Sequence, residues 1–201
     1  MRLGIFGGTF DPIHTGHLII AQEALVAANL DEVWFLPTGQ PWMKEGTRIS
    51  ESKHRIAMAK MAIEAHPAFK ISRREVDKEG PSYTVDTMSA MRQQEASGEK
   101  LFFILGIDSL ATLHLWKQPA ALFDMCGLIT INRTVTEEFD IAELDKIRPD
   151  ATEQVKFIEG PIVEISGAKV RQRVHEGKPI TYWVPGSVER YIEDKGLYRG
   201  G

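Results

Sequence analysis

The sequence predicts an α/β fold, a doubly wound parallel sheet carrying a small C-terminal helical part. Three observations carry this prediction. Short apolar runs alternate with helix-type runs along most of the 201 residues, and such alternation implies a parallel sheet with helices on both faces. The run Leu101–Leu105 is wholly apolar, as suits a strand buried on both sides. In "RLGIFGGTFDPIHTGHLII", residues 2–20, an apolar run passes through two glycines into a helix-type stretch.

Taken in order, Leu3–Phe6 is the first predicted strand and His17–Asn29 the first helix. Glu32–Pro37 ("EVWFLP") is the second strand, followed by a loop of turn residues, "TGQPWMKEGT". Ser50 is placed to cap the next helix, with Glu51 in its first turn, and that helix runs to about Ala65 before Pro67. Phe69–Val76 reads as a strand whose polar "SRRE" suits a sheet edge. "EGPSYT" turns into a helix from about Val85 to Glu95. Leu101–Leu105 and Gly127–Asn132 are further strands. The acidic stretch 134–152 reads as a surface helix with loops, and Val155–Ile165 as one or two strands. Helices over about Ala168–His175 and Pro185–Asp194 close the chain. No repeat, low-complexity tract or linker interrupts it. One Rossmann-like domain over 1–201 is expected, with about 166–201 as its C-terminal helical part. Ligands of such sheets bind at the carboxyl ends of the strands near the switch point, which puts the first turn, Gly7 to His17, at the site.

Hydrophobic residues make up 43% of the chain, enough for a core and too many for a disordered protein. A net charge of −4 argues against a general nucleic-acid binder and leaves room for a local basic pocket for a small anion. The one cysteine, Cys126, allows no internal disulfide and no cysteine metal site, and reads as a small buried side chain. No apolar run nears the roughly 18 residues of a membrane span, and the start does not resemble a signal peptide. A cytoplasmic protein with no membrane or nucleic-acid partner is expected.

The first turn holds the chemistry. A glycine pair after a strand lets the backbone turn sharply and approach a ligand. The following helix start offers free N–H groups and a partial positive charge to an anion. His14 and His17 are three apart, so with a helix beginning near His14 both rings point the same way. Gly16 between them leaves room for a flat group. Imidazoles donate to phosphate oxygens, and the stretch reads as a phosphate cradle. It lacks the G-x-x-x-x-G-K-[ST] pattern of a Walker loop and the dinucleotide G-x-G-x-x-G. A histidine pair at this spacing could also serve a metal, for which no third ligand is evident nearby. A helix cap with two solvated histidines is the plain structural reading.

"GGTFDPIHTGH" closely resembles the signature of bacterial nicotinate-nucleotide adenylyltransferases, members of the HxGH nucleotidyltransferases. Three other segments resemble this family in the same order: "GPSYTVDT" at 80–87, "GIDSLATLHLW" at 106–116 and "ISGAKVRQR" at 165–173, with "GLYR" at 196–199 like the family's usual ending. The resemblance implies that Gly7, Gly8, Thr9, Phe10, Gly16, Lys44 and Ser166 bind ATP and that Gly106 and Asp108 hold its ribose. It implies that Ser82, Tyr83 and Thr84 face the pyridine nucleotide, with Trp116 stacked on the nicotinate ring. His17 would meet the α-phosphate, and His14 and Arg171 the β,γ end. Two departures are visible. Met43 stands where a histidine is common, and Gly167 and Ala168 stand where hydroxyl-bearing residues are common.

The reaction implied is nicotinate mononucleotide plus ATP giving nicotinate adenine dinucleotide and pyrophosphate, with Mg²⁺ bound mainly through ATP phosphates. The mononucleotide phosphate is itself the nucleophile, so no general base is required. The alternative is a dual-specificity enzyme that also accepts nicotinamide mononucleotide. A pantetheine-phosphate adenylyltransferase gives no reason for "PSYT" and Trp116. A tRNA synthetase would need an anticodon-binding region, and an ATP-binding sensor would share the same motifs. A homo-oligomer is compatible with the sequence, which does not set the oligomeric state.

Overall fold

A computed structural model describes residues 1–41, 49–94, 98–132, 140–161 and 163–200. Strand β1 (Arg2–Gly8) leads into helix α1 (Thr15–Ala27), followed by β2 (Glu32–Pro37) and a two-residue strand β3 (Gln40–Pro41). Then come α2 (Ser52–Ile63), β4 (Phe69–Ile71), the two-residue β5 (Pro81–Ser82), α3 (Thr84–Gln94) and β6 (Lys100–Gly106). The second half contains α4 (Ile107–Ala111), α5 (Pro119–Met125), β7 (Gly127–Asn132), β8 (Val155–Glu159), α6 (Gly167–His175) and α7 (Gly186–Asp194).

The main sheet has six parallel strands in the order β4-β2-β1-β6-β7-β8, and β3 pairs with β5 in a second, small sheet. Counted along the main sheet alone, the order is 3-2-1-4-5-6, that of the Rossmann fold. The strand order reverses between β1 and β6. Alternation along the central strands separates two cores. Phe6, Phe35, Ile104 and Ile129 face a layer that includes Ala21, Met58, Val170 and Val188. Leu3, Ile5, Phe103 and Leu128 face Met88, Met91, Leu110 and Leu122. Thus α1, α2, α6 and α7 cover one face, and α3, α4 and α5 the other. Cys126 lies in the second core, with its Sγ donating to Leu122 O at 3.5 Å. Burial pushes its thiol up to about 12, so it is inert packing.

The sequence expectations need correction at several points. The strand expected over 69–76 stops at Ile71. Ser72 N–H still donates to Phe35 O at 2.8 Å, then the amides of Val76 and Asp77 turn back onto Arg73 O and close a turn. It is nevertheless an edge strand. Ser50 does not cap α2. Glu51 is the N-cap residue and makes no side-chain cap bond, and the helix begins at Ser52 and ends at Ile63. Residues 140–154 form two 3₁₀ segments, Ile141–Lys146 and Thr152–Gln154, in place of the expected surface helix. Ile141, Leu144 and Ile147 recur every third residue, the spacing that eclipses side chains in a 3₁₀ turn. Of the one or two strands expected over Val155–Ile165, one is found among the described residues, at Val155–Glu159. The helices between 107 and 125 were not anticipated. They span 5 and 7 residues with a 3₁₀ turn of 3 between them, too short to show a period. The Pro119 at the start of α5 was the readable signal.

Gly39 has the least steric latitude of the described glycines. A Cβ on Gly39, at the exit of β2, would stand 2.1 Å from the backbone oxygen of Glu75. Gly39→Ala must therefore push two chain segments apart. We expect a loss of about 2–3 kcal/mol, at the upper end for overpacking, read as a lower urea midpoint with unchanged m-value.

Candidate active site

The carboxyl ends of β1 and β6 open into a cavity of about 690 Å³. This lies within the usual size of a small-molecule site and at the switch point of the sheet. Three parts of the chain wall it: the loop from Gly7 to His17, the Ser82–Thr84 turn with Gly106, Asp108 and Trp116, and the start of α6 with Ser166 and Arg171. Of the described residues singled out from the sequence for the site, all line it except Gly16, which is buried outside the lining. Lys44 and Met43 lie outside the described residues.

His14 is the N-cap residue of α1. Its ring stacks on that of His17 with centroids 3.6 Å apart and planes 24° apart. The His14 backbone N–H donates to His17 Nδ1 at 3.1 Å. Because Nδ1 accepts, the His17 ring proton sits on Nε2. His17 is also braced edge-on by Phe10 at 5.0 Å and Phe6 at 5.9 Å. The pair is thus a rigid stack at a helix start. The room beside Gly16 is used by the His14 ring, since a Cβ there would lie 3.1 Å from its Nδ1.

Gly7 and Gly8 are strand residues, and the sharp turn expected there falls at Phe10, whose φ is +49°. The two glycines are required for a different reason. A Cβ on Gly7 would come within 2.7 Å of the Phe103 ring, and one on Gly8 within 2.8 Å of the Phe10 ring. The aromatic rings thereby fill the space beside the strand end.

Arg55 holds this loop from below. It is 2% exposed, and its guanidinium donates to four carbonyls: Ser50 at 3.0 Å, Thr9 at 2.8 Å, Thr38 at 2.8 Å and Gly39 at 3.3 Å. A buried cation is tolerable only when so satisfied. Asp11 is buried as well. Its Oδ1 accepts from Tyr198 Oη at 2.6 Å and its Oδ2 from Ser50 N–H at 3.1 Å. Burial, reinforced by the Asp11 charge, holds the Tyr198 hydroxyl above the usual phenol range, so it remains the donor.

In the third wall, Ser166 caps α6, its Oγ accepting from Lys169 N–H at 3.2 Å. Arg171 donates from Nη1 to Asp11 O at 2.6 Å. Gly167 permits that approach, because a Cβ there would lie 2.8 Å from Asp11 O. Close backbone contact thus takes the place of a side chain at Gly167. Arg173 is not part of the cavity lining. It stacks on Trp183 at 4.6 Å and donates to Pro179 O.

On the opposite side, Thr84 opens α3, and Gly106 precedes α4, which carries Asp108 in its first turn. Trp116 packs edge-on against Phe103 at 6.1 Å, and its buried Nε1–H has no hydrogen-bond partner among the described residues. Among the lining residues that the sequence did not mark are Lys117 and Glu75. Lys117 lies 4.8 Å over the Tyr83 ring and pairs with Asp86 at 2.9 Å. Glu75 is 5% exposed and accepts from Thr87 Oγ1 at 2.9 Å. Burial pushes its carboxyl above the ordinary range, opposed by the Thr87 hydroxyl and the Gly39 amide. Neither had a sequence signal, because "SRREV" and "WKQP" look like solvated surface.

Residues 5–173 match the model of the cytidylyltransferase-like family. A Bacillus subtilis protein named nicotinate-nucleotide adenylyltransferase is 37% identical over 197 residues, covering 98% of each chain. A Roseiflexus protein named "Probable nicotinate-nucleotide adenylyltransferase" is 41% identical, with the same coverage. The chain belongs to the nicotinate-nucleotide adenylyltransferases. The fold of this adenylyltransferase is also that of the Plasmodium falciparum nicotinic acid mononucleotide adenylyltransferase solved with NaAD, at a TM-score of 0.78 and 20% identity, covering 98% of this chain and 97% of that one. Nucleotidyltransferases generally use a divalent metal with ATP. In this member of the family no cluster of three or more His, Cys, Asp or Glu able to hold an ion occurs among the described residues. No helix among them is long and apolar enough to cross a membrane.

Proposed function

We propose that this chain transfers the adenylyl group of ATP to nicotinate mononucleotide, releasing pyrophosphate, as a cytoplasmic step of NAD biosynthesis. The observation that carries this reading is the meeting of three sequence-distant segments around one cavity, with the stacked His14–His17 pair at a helix start between them. A phosphate oxygen of the mononucleotide attacks the ATP α-phosphorus. A new P–O bond forms as the bond to the β-phosphate bridging oxygen breaks, and that oxygen leaves on pyrophosphate. The phosphate is already ionised, so the protein aligns the groups and stabilises charge.

In this reading His17 donates from Nε2 to the α-phosphate, and His14 and Arg171 bind the β,γ end together with Lys44. The backbone of Gly7, Gly8, Thr9 and Phe10 approaches the triphosphate. Gly16 acts by making room for His14, and Ser166 by holding the α6 start. Gly106 and Asp108 take the ribose, while Ser82, Tyr83, Thr84 and Trp116 take the pyridine nucleotide. Residues 166–201 complete the ATP site as part of one domain. Mg²⁺ would enter on phosphate oxygens and offset their charge, which suits a donor set of histidine and arginine with few carboxylates.

The decisive assay measures pyrophosphate release from ATP with and without nicotinate mononucleotide. Release that requires the mononucleotide supports the reading, and its absence rejects it. Trp116→Ala refines the assignment. Base–aromatic stacking is worth about 1–3 kcal/mol, so KM for the mononucleotide should rise roughly 5- to 150-fold. KM for ATP should change far less. Equal losses for both substrates would make Trp116 structural.

A further inference from the structure

We infer that Tyr198, which does not line the cavity, is a positioning residue that acts through Asp11 to hold the Thr9–Asp11 backbone in place for the triphosphate. This rests on the adenylyl-transfer reading above. The loop between β1 and α1 contains a residue at φ +49°, Phe10, and such a conformation persists only where the surroundings impose it. Two constraints flank that residue. Behind Thr9 stands Arg55, part of the main domain, which accounts for the Thr9 carbonyl. Beyond Phe10 stands Asp11, whose contacts come largely from the C-terminal part: Tyr198 on the carboxylate and Arg171 on the carbonyl. The partners lie 187 and 160 residues away in sequence.

A buried carboxylate that loses a donor seeks another or moves toward water. Among the described residues Ser50 N–H is its remaining hydrogen-bond donor, and pulling Asp11 toward Ser50 would shift the peptide units of Phe10 and Asp11, both part of the cavity wall. Arg171 would move with the Asp11 carbonyl it donates to. Tyr198 itself sits at φ +66°, four residues past the end of α7 at Asp194, so the chain turns as it delivers this hydroxyl. Its ring packs on the first core, which is why removing only the hydroxyl should leave the fold intact.

The test is Tyr198→Phe in the full chain. ATP affinity is measured by calorimetry without any acceptor, and kcat and the two KM values by pyrophosphate release. Urea unfolding is followed in parallel. We expect ATP to bind about 5- to 20-fold more weakly and kcat to fall about 10- to 100-fold, the scale on which a misplacement of about 1 Å acts. KM for nicotinate mononucleotide should stay within about two-fold, and unfolding should remain a single transition. A purely structural tyrosine would lower the urea midpoint and leave ATP affinity and kcat, measured well below the transition, near wild type. That result, or equal losses for both substrates, overturns the inference. If the wild type binds ATP yet forms no dinucleotide, the functional reading fails. The comparison of ATP affinities then still decides the role of Tyr198.

Discussion

His17→Ala is expected to lower kcat by about 10²–10³, the cost of one charge-stabilising donor aimed at a transition state. The ring is held on three sides: His14 stacked on one face, Phe6 and Phe10 at its edges, and the His14 amide on Nδ1. The amide bond leaves the ring proton on Nε2, so His17 delivers one donor in one direction without rearranging when charge develops. Such a donor acts mainly in the transition state, and KM for ATP should change by less than about tenfold. His17→Asn, with a shorter amide donor, should recover only part of the loss. The helix start keeps its other contacts, so the urea midpoint should fall by no more than the equivalent of about 1 kcal/mol, a typical cap contribution. A His17→Ala enzyme with near-normal turnover would remove His17 from the chemistry.

Nicotinate over nicotinamide mononucleotide should be preferred by about 10²–10⁴ in kcat/KM. The two substrates share ring, ribose and phosphate and differ by a carboxylate against a carboxamide. A carboxylate only accepts, whereas an amide also donates two hydrogens. The wall assigned to the pyridine ring is rich in donors. Thr84 opens α3 with its hydroxyl and first-turn amides, Trp116 Nε1–H is buried without a partner among the described residues, and the Lys117 ammonium, paired with Asp86, lies over Tyr83. An amide NH₂ pointed at these donors leaves hydrogens facing hydrogens, at about 1–3 kcal/mol for each mispaired group. Two such clashes give the range stated, since each 1.4 kcal/mol is tenfold. Glu75 sits near the opposite limit, a buried carboxyl whose hydrogen bonds to Thr87 and the Gly39 amide are already made. Parallel assays with both mononucleotides at saturating Mg-ATP measure the ratio. A value within a few-fold of one would replace the acid-specific enzyme by a dual-specificity one.

The long periodic segments were legible because their signal is local. Leu101–Leu105 and Gly127–Asn132 become central strands, and the helix after the glycines starts at Thr15, two residues before the sequence placed it. The edge strand after Phe69 was overextended because β propensity does not register the turn that carries Glu75 inward. The short helices after Gly106 have no period to detect. At the site, His14, His17, Arg171, Asp108 and Trp116 were visible because each lies in an ordered string of motifs. Arg55 and Glu75 were not, because a buried charge looks like a surface charge until its partners are known.

The sequence alone therefore determined the alternation of elements, the glycine–histidine turn and the resemblance that names the chemistry. These depend on residues within a few positions of one another. The tertiary structure decided what the glycines are for, which ring nitrogen of His17 carries the proton, and which residues stand behind the loop. Gly7 is required by Phe103, Gly39 by Glu75 and Gly167 by Asp11, contacts made across 96, 36 and 156 residues of sequence. Steric exclusion and hydrogen-bond satisfaction act between neighbours in space, and the order of strands β4-β2-β1-β6-β7-β8 sets who those neighbours are.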